Sequence, residues 1–460
     1  MYGIIIKPGQ GASQYRQLYE QLREKIINGE IPVAARLASS RSLSREYGIS
    51  RAIVLEVMEQ LKVEGYLETR HGSGTYITPG LFREADPGGK PQAGEPLTPE
   101  PAIMDRPGAG VSGSIHNQIQ GSIRNRTTGS AGEPPLPASP RFSFISGLPD
   151  LSLFPRRAWS MSYRRALEYA DEQALSYGSP LGSLALRQEL AGFLFRSKGI
   201  RTVPENIFIT SGAAQGIALM AAVMRNKHGP NTVITEDPVI DFVPHIFRDF
   251  SYVIEYAEVD EEGIIPQSIS SENARLVFIS PSHQFPLGGT LSAARRIQLL
   301  HKVPEKDCYI LEDDYDGEFR YDSNPIAPLQ VLAPGRVVYI GTFSKNLAPA
   351  LRLGYMVVPD GLVEPLGELK NRGDRWTEGL GQRAMARFIG DGHLERHILR
   401  MKKIYIKRKR VIHEILHKTF GSGLRISGHS TGLHMVLRFP GMVFHEETTN
   451  RLLAKGLYIE

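Results

Sequence analysis

Residues 337–345, Val337-Val338-Tyr339-Ile340-Gly341-Thr342-Phe343-Ser344-Lys345, read as a buried strand over Val337–Gly341 that delivers two hydroxyls and an amine at its C-terminal end. The run is short, β-branched and aromatic, which suits a strand covered on both faces. Ligands of open α/β sheets bind at the C-terminal ends of such strands. Thr342, Ser344 and Lys345 therefore stand where a ligand would be met, and Arg352, seven residues on, can return to the same anion. Working outward, Tyr309–Glu312 reads as a second strand, running on into Asp313 and Tyr315. Val203–Thr210 reads as a third. Its turn, Ser211-Gly212-Ala213-Ala214, leads into a helix and offers the free N–H groups of Gly212, Ala213 and Ala214 to an anion. Thr232–Glu236 and Leu276–Ser280 complete the set. Their alternation with helical stretches predicts a mainly parallel α/β sheet over residues 141–460.

Composition sets the outer limits. The chain has 460 residues, 41% hydrophobic and 22% charged, enough to bury a sizeable core. Lys+Arg number 54 against 49 Asp+Glu, a net charge of +5 that permits a nucleic-acid partner without demanding one. Cys308 is the single cysteine, so neither an intrachain disulfide nor a cysteine-based zinc site can form, which suits a reducing cytoplasm. No apolar run reaches the ~18 residues of a membrane span. Residues 79–140 hold 11 Pro and 10 Gly, with no Phe, Tyr or Trp between Arg83 and Pro140. That stretch reads as a flexible linker, dividing a domain over 1–78 from one over 141–460.

The N-terminal 78 residues read as three helices and a hairpin. Tyr15, Leu18, Tyr19, Leu22 and Ile26 recur at helical spacing up to Asn28-Gly29. Ser40 is placed to cap a short helix over Arg41–Tyr47, and Ser50 a third with Ile53, Val54, Val57, Met58 and Leu61 as its apolar stripe. Tyr66–Thr69 and Thr75–Ile77 read as strands around a Gly-rich turn at Gly72. Helix, tight turn, helix is the layout of a helix-turn-helix, whose third helix presents its N-terminal side chains to base edges. Arg51 stands there. Four Arg and one acid lie between Arg36 and Val54, an excess suited to phosphate contacts. A solvated helical face is the plainer reading of the same residues.

The wording narrows these choices. Ser39-Ser40-Arg41, Gly48-Ile49-Ser50-Arg51, Glu64-Gly65-Tyr66-Leu67 and Gly72-Ser73-Gly74-Thr75 resemble the winged helix-turn-helix of GntR-family regulators. The resemblance implies that Arg41, Ser50, Arg51 and Gly72 contact double-stranded operator DNA. Ala38 and Ala52-Ile53 depart from the usual Pro and Asn-Thr. The large domain resembles fold-type I pyridoxal-phosphate enzymes of the aminotransferase kind. It implies that Lys345 carries the internal aldimine, that Asp313 meets the pyridine nitrogen and Tyr315 the phenolic oxygen. It further implies that Thr342, Ser344, Arg352 and the Gly212–Ala214 turn hold the phosphate, with Tyr177 reaching the site of a second subunit. The whole chain resembles the MocR-type regulators. It implies a sensor of pyridoxal phosphate, a small amine or an amino acid, without catalytic residues or a metal of its own. It implies also a cytoplasmic, head-to-tail, domain-swapped homodimer. A working aminotransferase with a DNA-binding appendage is the alternative.

Two departures bear on the large domain. Ile240 stands where the group carries an aromatic ring against the pyridine face, with Phe242 nearby. The resemblance implies further small-domain strands past the position of Glu460, including an effector-binding Arg, so either the small domain is shortened or the sequence is truncated. Finally, Arg396–Val411 is strongly basic, with Ile398, Leu399, Met401 and Ile404 interleaved. It reads either as a solvated helix or as a second DNA-facing patch.

Overall fold

The computed structural model describes residues 2–7, 14–32, 34–63, 66–70, 73–78, 142–226, 229–271, 273–321, 326–428 and 430–459. The linker expected over 79–140, and Gly72, lie outside them. The described residues divide into two compact units, those up to 78 with 147–440 and 142–146 with 441–459. In the second unit, the strands Phe142–Phe144 and Leu457–Ile459 pair in parallel.

Within the first unit the N-terminal helices are α1 (Gln14–Ile27), α2 (Ser40–Tyr47) and α3 (Arg51–Val63). Ser39 caps α2 by accepting from the Ser42 N–H, and Gly48 closes it at φ +64. The cap is one residue earlier than the sequence predicts. Ser50 caps α3 as expected, accepting from the Ile53 N–H at 3.3 Å. Strands β1 (Leu67–Arg70) and β2 (Gly74–Ile77) pair antiparallel as the wing. Leu18, Leu22 and Ile26 sit on one face of α1 and are fully buried, each stabilising the domain by ~1.5–3 kcal/mol.

The large sheet has eight strands: β3 (Ile207–Thr210), β4 (Thr232–Asp237), β5 (Val253–Asp260), β6 (Gly263–Ile264), β7 (Ala274–Ile279), β8 (Tyr309–Asp313), β9 (Val337–Thr342) and β10 (Gly354–Val357). Their spatial order is β3-β10-β9-β8-β7-β4-β5-β6. From β9 through β5 every pairing is parallel, while β10 runs antiparallel to both of its neighbours. Parallel strands are covered on both faces, and β9 is buried throughout. The third expected strand starts late. Pro204–Asn206 forms a 3-10 turn, because proline cannot donate to a ladder, and pairing begins at Ile207. Helix α4 (Ala213–Val223) follows β3, α5 (Ala293–Lys302) follows the loop after β7, and α6 (His393–Phe420) carries the basic stretch.

Candidate cofactor site and nucleic-acid interface

Strand register brings the chemistry together. Ile340 of β9 pairs with Asp313 of β8, so β9 runs two residues further before Phe343, Ser344 and Lys345 leave the sheet. Thr342 Oγ1 donates to Ser344 Oγ at 3.0 Å and accepts from the Ser344 N–H at 3.1 Å. Lys345 is half-buried, and its Nζ lies 3.0 Å from where a Cβ on Gly147 would stand. At the neighbouring edge Gly212, at φ +106, begins α4 with no side chain capping it. Arg352 donates from Nη2 to the Ser211 carbonyl at 2.7 Å. A Cβ on Gly212 would be 3.2 Å from that same nitrogen. An open helix N-terminus beside a guanidinium is an anion cradle.

Asp313 is buried, and its Oδ1 has no hydrogen-bond partner. Burial pushes its carboxyl up to about 7, with the Asp314 charge adding and Lys345 opposing. A buried carboxylate in that state fits a cationic ring N–H, which would both pair the orphaned oxygen and lower the carboxyl again. Tyr315 donates to the His283 carbonyl at 2.8 Å, and burial raises its hydroxyl well above the usual range. Glu236, at the end of β4, is likewise pushed up to about 7 by burial, although it accepts from Ser280 Oγ at 2.7 Å.

Residues that sequence reasoning passed over support these groups. Lys198 is buried and donates from Nζ to Asp314 Oδ2 at 2.6 Å, which also accepts from the Tyr339 hydroxyl at 2.6 Å. The pair anchors the backbone between Asp313 and Tyr315. His283 Nδ1 faces Asp316 Oδ2 at 3.1 Å, and its ring stacks on His434 with centroids 4.1 Å apart and planes at 27°. Burial, with His283 and then Lys345 nearby, pushes His434 down to about 4. His283, Asp316 and His434 bring ligand atoms within 4.8 Å of one another. The stacked rings set their in-plane lone pairs side by side rather than toward one point, which is poor metal geometry. The Ser282-His283-Gln284-Phe285-Pro286 wording was the one signal for this cluster.

Two expected groups stand apart. Tyr177 is 77% exposed, with the Arg375 guanidinium 5.6 Å over its ring. Ile240 and Phe242 are half-buried and pack against the apolar cluster built on α4, β4 and β7. On the N-terminal domain, Arg51 opens α3 and donates from Nε to Ser40 Oγ at 3.3 Å, while Arg41 lies exposed in the first turn of α2. These side chains share the exposed edge formed by the α2 and α3 N-termini. In α6, Leu394, His397, Ile398 and Met401 are buried, and Arg408 pairs with Asp150 at 2.6 Å.

Two family models match this chain. The bacterial regulatory proteins of the gntR family match residues 14–77, and aminotransferase class I and II matches residues 155–459. The uncharacterised HTH-type transcriptional regulator YhdI of Bacillus subtilis is 32% identical over 444 residues, covering 96% of this chain and 87% of that protein. The pyridoxine biosynthesis regulator PdxR of Corynebacterium glutamicum is 30% identical, covering 94% and 85%. The probable rhizopine catabolism regulatory protein MocR of Rhizobium meliloti is 29% identical, covering 95% and 84%. Among solved structures, Pyrococcus horikoshii kynurenine aminotransferase is 27% identical with a TM-score of 0.63, covering 76% of this chain and 85% of that one.

Proposed function

This chain belongs to the aminotransferase class I and II family and to the MocR-type gntR regulators, and from that premise we propose that it is a DNA-binding regulator that senses pyridoxal phosphate, a small amine or an amino acid at Lys345. Pyridoxal phosphate is the cofactor of its large domain, and the residues suit it. The observation that carries the reading is the buried, unpartnered Asp313 Oδ1 on the strand beside the one leading to Lys345. In this reading Asp313 meets the ring nitrogen, and the Gly212–Ala214 turn, Arg352, Thr342 and Ser344 hold the phosphate. When bound, the cofactor supplies an aldehyde carbon open to amines and a ring that draws electrons from it.

The chain's own groups do the rest. Lys345 presents its amine beside Gly147, where the missing side chain leaves room for a competing amine. Tyr315 holds its proton on the His283 carbonyl until a ligand oxygen competes for it. Lys198 and Tyr339 fix Asp314, and with it the backbone that aims Asp313. The exposed Tyr177 supports a site completed by a second subunit, in a head-to-tail, domain-swapped homodimer. Arg41, Ser50, Arg51 and the wing turn at Gly72 are the DNA contacts in this reading. Regulation rather than turnover is the task, in keeping with the regulators among its relatives, and it is carried out in the cytoplasm.

The test uses the full-length protein. Genomic fragments it retains are sequenced, and its affinity for them is measured with pyridoxal phosphate and a panel of amines and amino acids. Keto-acid release is followed in parallel. A ligand-dependent change in DNA affinity without steady turnover supports the sensor. Sustained turnover with ligand-independent DNA binding supports the enzyme reading instead.

A further inference from the structure

Among the described residues, both hydrogen-bond partners of the Tyr315 hydroxyl belong to His283. The hydroxyl donates to the His283 carbonyl at 2.8 Å, and its oxygen lies 3.3 Å from Nδ1 of the ring. Burial raises that hydroxyl, and the charges of Asp316, Asp313, Glu236 and Asp314 add to the effect. Within this surround of acids, the His283 ring nitrogen is the group set against the Tyr315 oxygen.

The ring itself is held on all sides. Its Nδ1 lies 3.2 Å and 3.1 Å from the two oxygens of Asp316, and its Nε2 lies 3.2 Å from the Gly428 carbonyl. An ionised carboxylate and a carbonyl accept only, so both ring nitrogens are called on to donate. The His283 and Asp316 side chains are all but fully buried. The Leu433 N–H donates to Asp316 Oδ2 at 2.9 Å, and the His434 ring covers one face of the imidazole. Gly432 closes the cage at φ +72, where a Cβ would collide with the His283 ring and with the Asp316 carboxylate. A buried ion pair contributes little net stability over apolar side chains of the same volume. What this pair supplies is a fixed N–H beside the Tyr315 oxygen.

We propose that His283 is the positioning residue for Tyr315: its imidazolium, fixed by Asp316 and the Gly428 carbonyl, directs the Tyr315 hydroxyl at the phenolic oxygen of bound pyridoxal phosphate. The inference rests on the cofactor placement proposed above and says how that end of the site is tuned. When the phenolic oxygen accepts a hydrogen bond from Tyr315, the Nδ1–H of His283 keeps its hold on the Tyr315 oxygen. Asp316, His283, Tyr315 and the ligand oxygen then form one chain in which each bond polarises the next. No proton changes owner. The chain favours negative charge on the phenolic oxygen, so the visible absorption of the bound cofactor titrates at a lower pH than it would without the chain.

Two measurements on the full-length protein test this. In cofactor-free protein carrying ¹⁵N-labelled histidine, the His283 signals are identified by their loss in His283→Gln. Two protonated ring nitrogens support the imidazolium, and a lone-pair nitrogen on His283 overturns it. That readout is independent of where the cofactor binds. The second measurement is the pH midpoint of visible absorption with pyridoxal phosphate bound. Tyr315→Phe should raise it by ~0.5 pH or more. The neutral pair His283→Gln with Asp316→Asn strands no buried charge, and it should raise the midpoint too. Added to Tyr315→Phe, it should bring no further change. A native midpoint in the neutral pair, or an effect that adds in full to Tyr315→Phe, overturns the positioning role. An unmoved midpoint in Tyr315→Phe itself overturns the placement of Tyr315 at the phenolic oxygen, and the proposal with it.

Discussion

The guanidinium of Arg352 lies against Gly212, reaching across from the loop before β10 to donate to the Ser211 carbonyl at 2.7 Å. The missing side chain at Gly212 is what admits it. A side chain there would crowd Arg352 at 3.2 Å and would carry the backbone cost of φ +106. Gly212→Val should therefore weaken pyridoxal phosphate binding tenfold or more, ~1.4 kcal/mol or above. Gly199→Ala is the control, since it has positive φ but open space around it. Equilibrium titration of both variants reads the difference, and equal affinities would remove the cradle from the site.

Asp313 makes stability depend on pH in a definite direction. Its carboxyl is raised to about 7, above its unfolded value near 4, so the cofactor-free fold binds a proton more tightly than the unfolded chain. Stability from this group is present below pH ~4 and is lost as pH rises to ~7, on the order of 2–4 kcal/mol at most. Asp313→Asn removes that loss. The variant minus native difference in thermal midpoint, without cofactor, should grow from pH 5 to pH 8, while cofactor affinity falls. A difference flat across that range would mean that Asp313 is not held in this environment.

Lys198 pairs with Asp314 at 2.6 Å and, at 3.5 Å, with Glu318. Burial alone would lower the Lys198 amine, and the charges of Asp314 and of Glu318, 3.5 Å away, overcome this and hold it raised. Lys198→Met strands a buried carboxylate and should cost ~3–5 kcal/mol in denaturant unfolding. Adding Asp314→Asn should recover most of that loss. Equal loss in the single and double variants would show that packing, not charge, is at stake.

Arg51 bonds Ser40 across the gap between two helix N-termini. Arg51→Ala should weaken binding to selected DNA by ~1–3 kcal/mol and flatten sequence preference. Cofactor absorbance should not move. Retained affinity and preference would shift the recognition surface away from the α3 N-terminus.

Much of this was legible because buried parallel strands leave continuous apolar runs. The Val337–Thr342 and Tyr309–Asp313 strands differ from their sequence bounds by a single residue at the C-terminal end. Strand Val253–Asp260 was not seen, because its Val253 and Tyr256 side chains are exposed and its pattern mixes polar residues among apolar ones. Gly354–Val357 was missed because a four-residue run after a Gly carries no period to read. Within the site, the strand-end residues announced themselves by type and place. His434 did not, since it meets His283 only through a contact 151 positions apart in the chain. Nothing in the sequence marks Arg296, whose fully buried guanidinium meets three backbone carbonyls and Glu312.

The most direct measurement is chemical. Full-length protein is incubated with pyridoxal phosphate, reduced with borohydride, digested and mapped by mass spectrometry. The account predicts one pyridoxyl group per chain, on the peptide that contains Lys345, and none in Lys345→Ala. A pyridoxyl group on another lysine at the same occupancy, or none in the native protein, would contradict it.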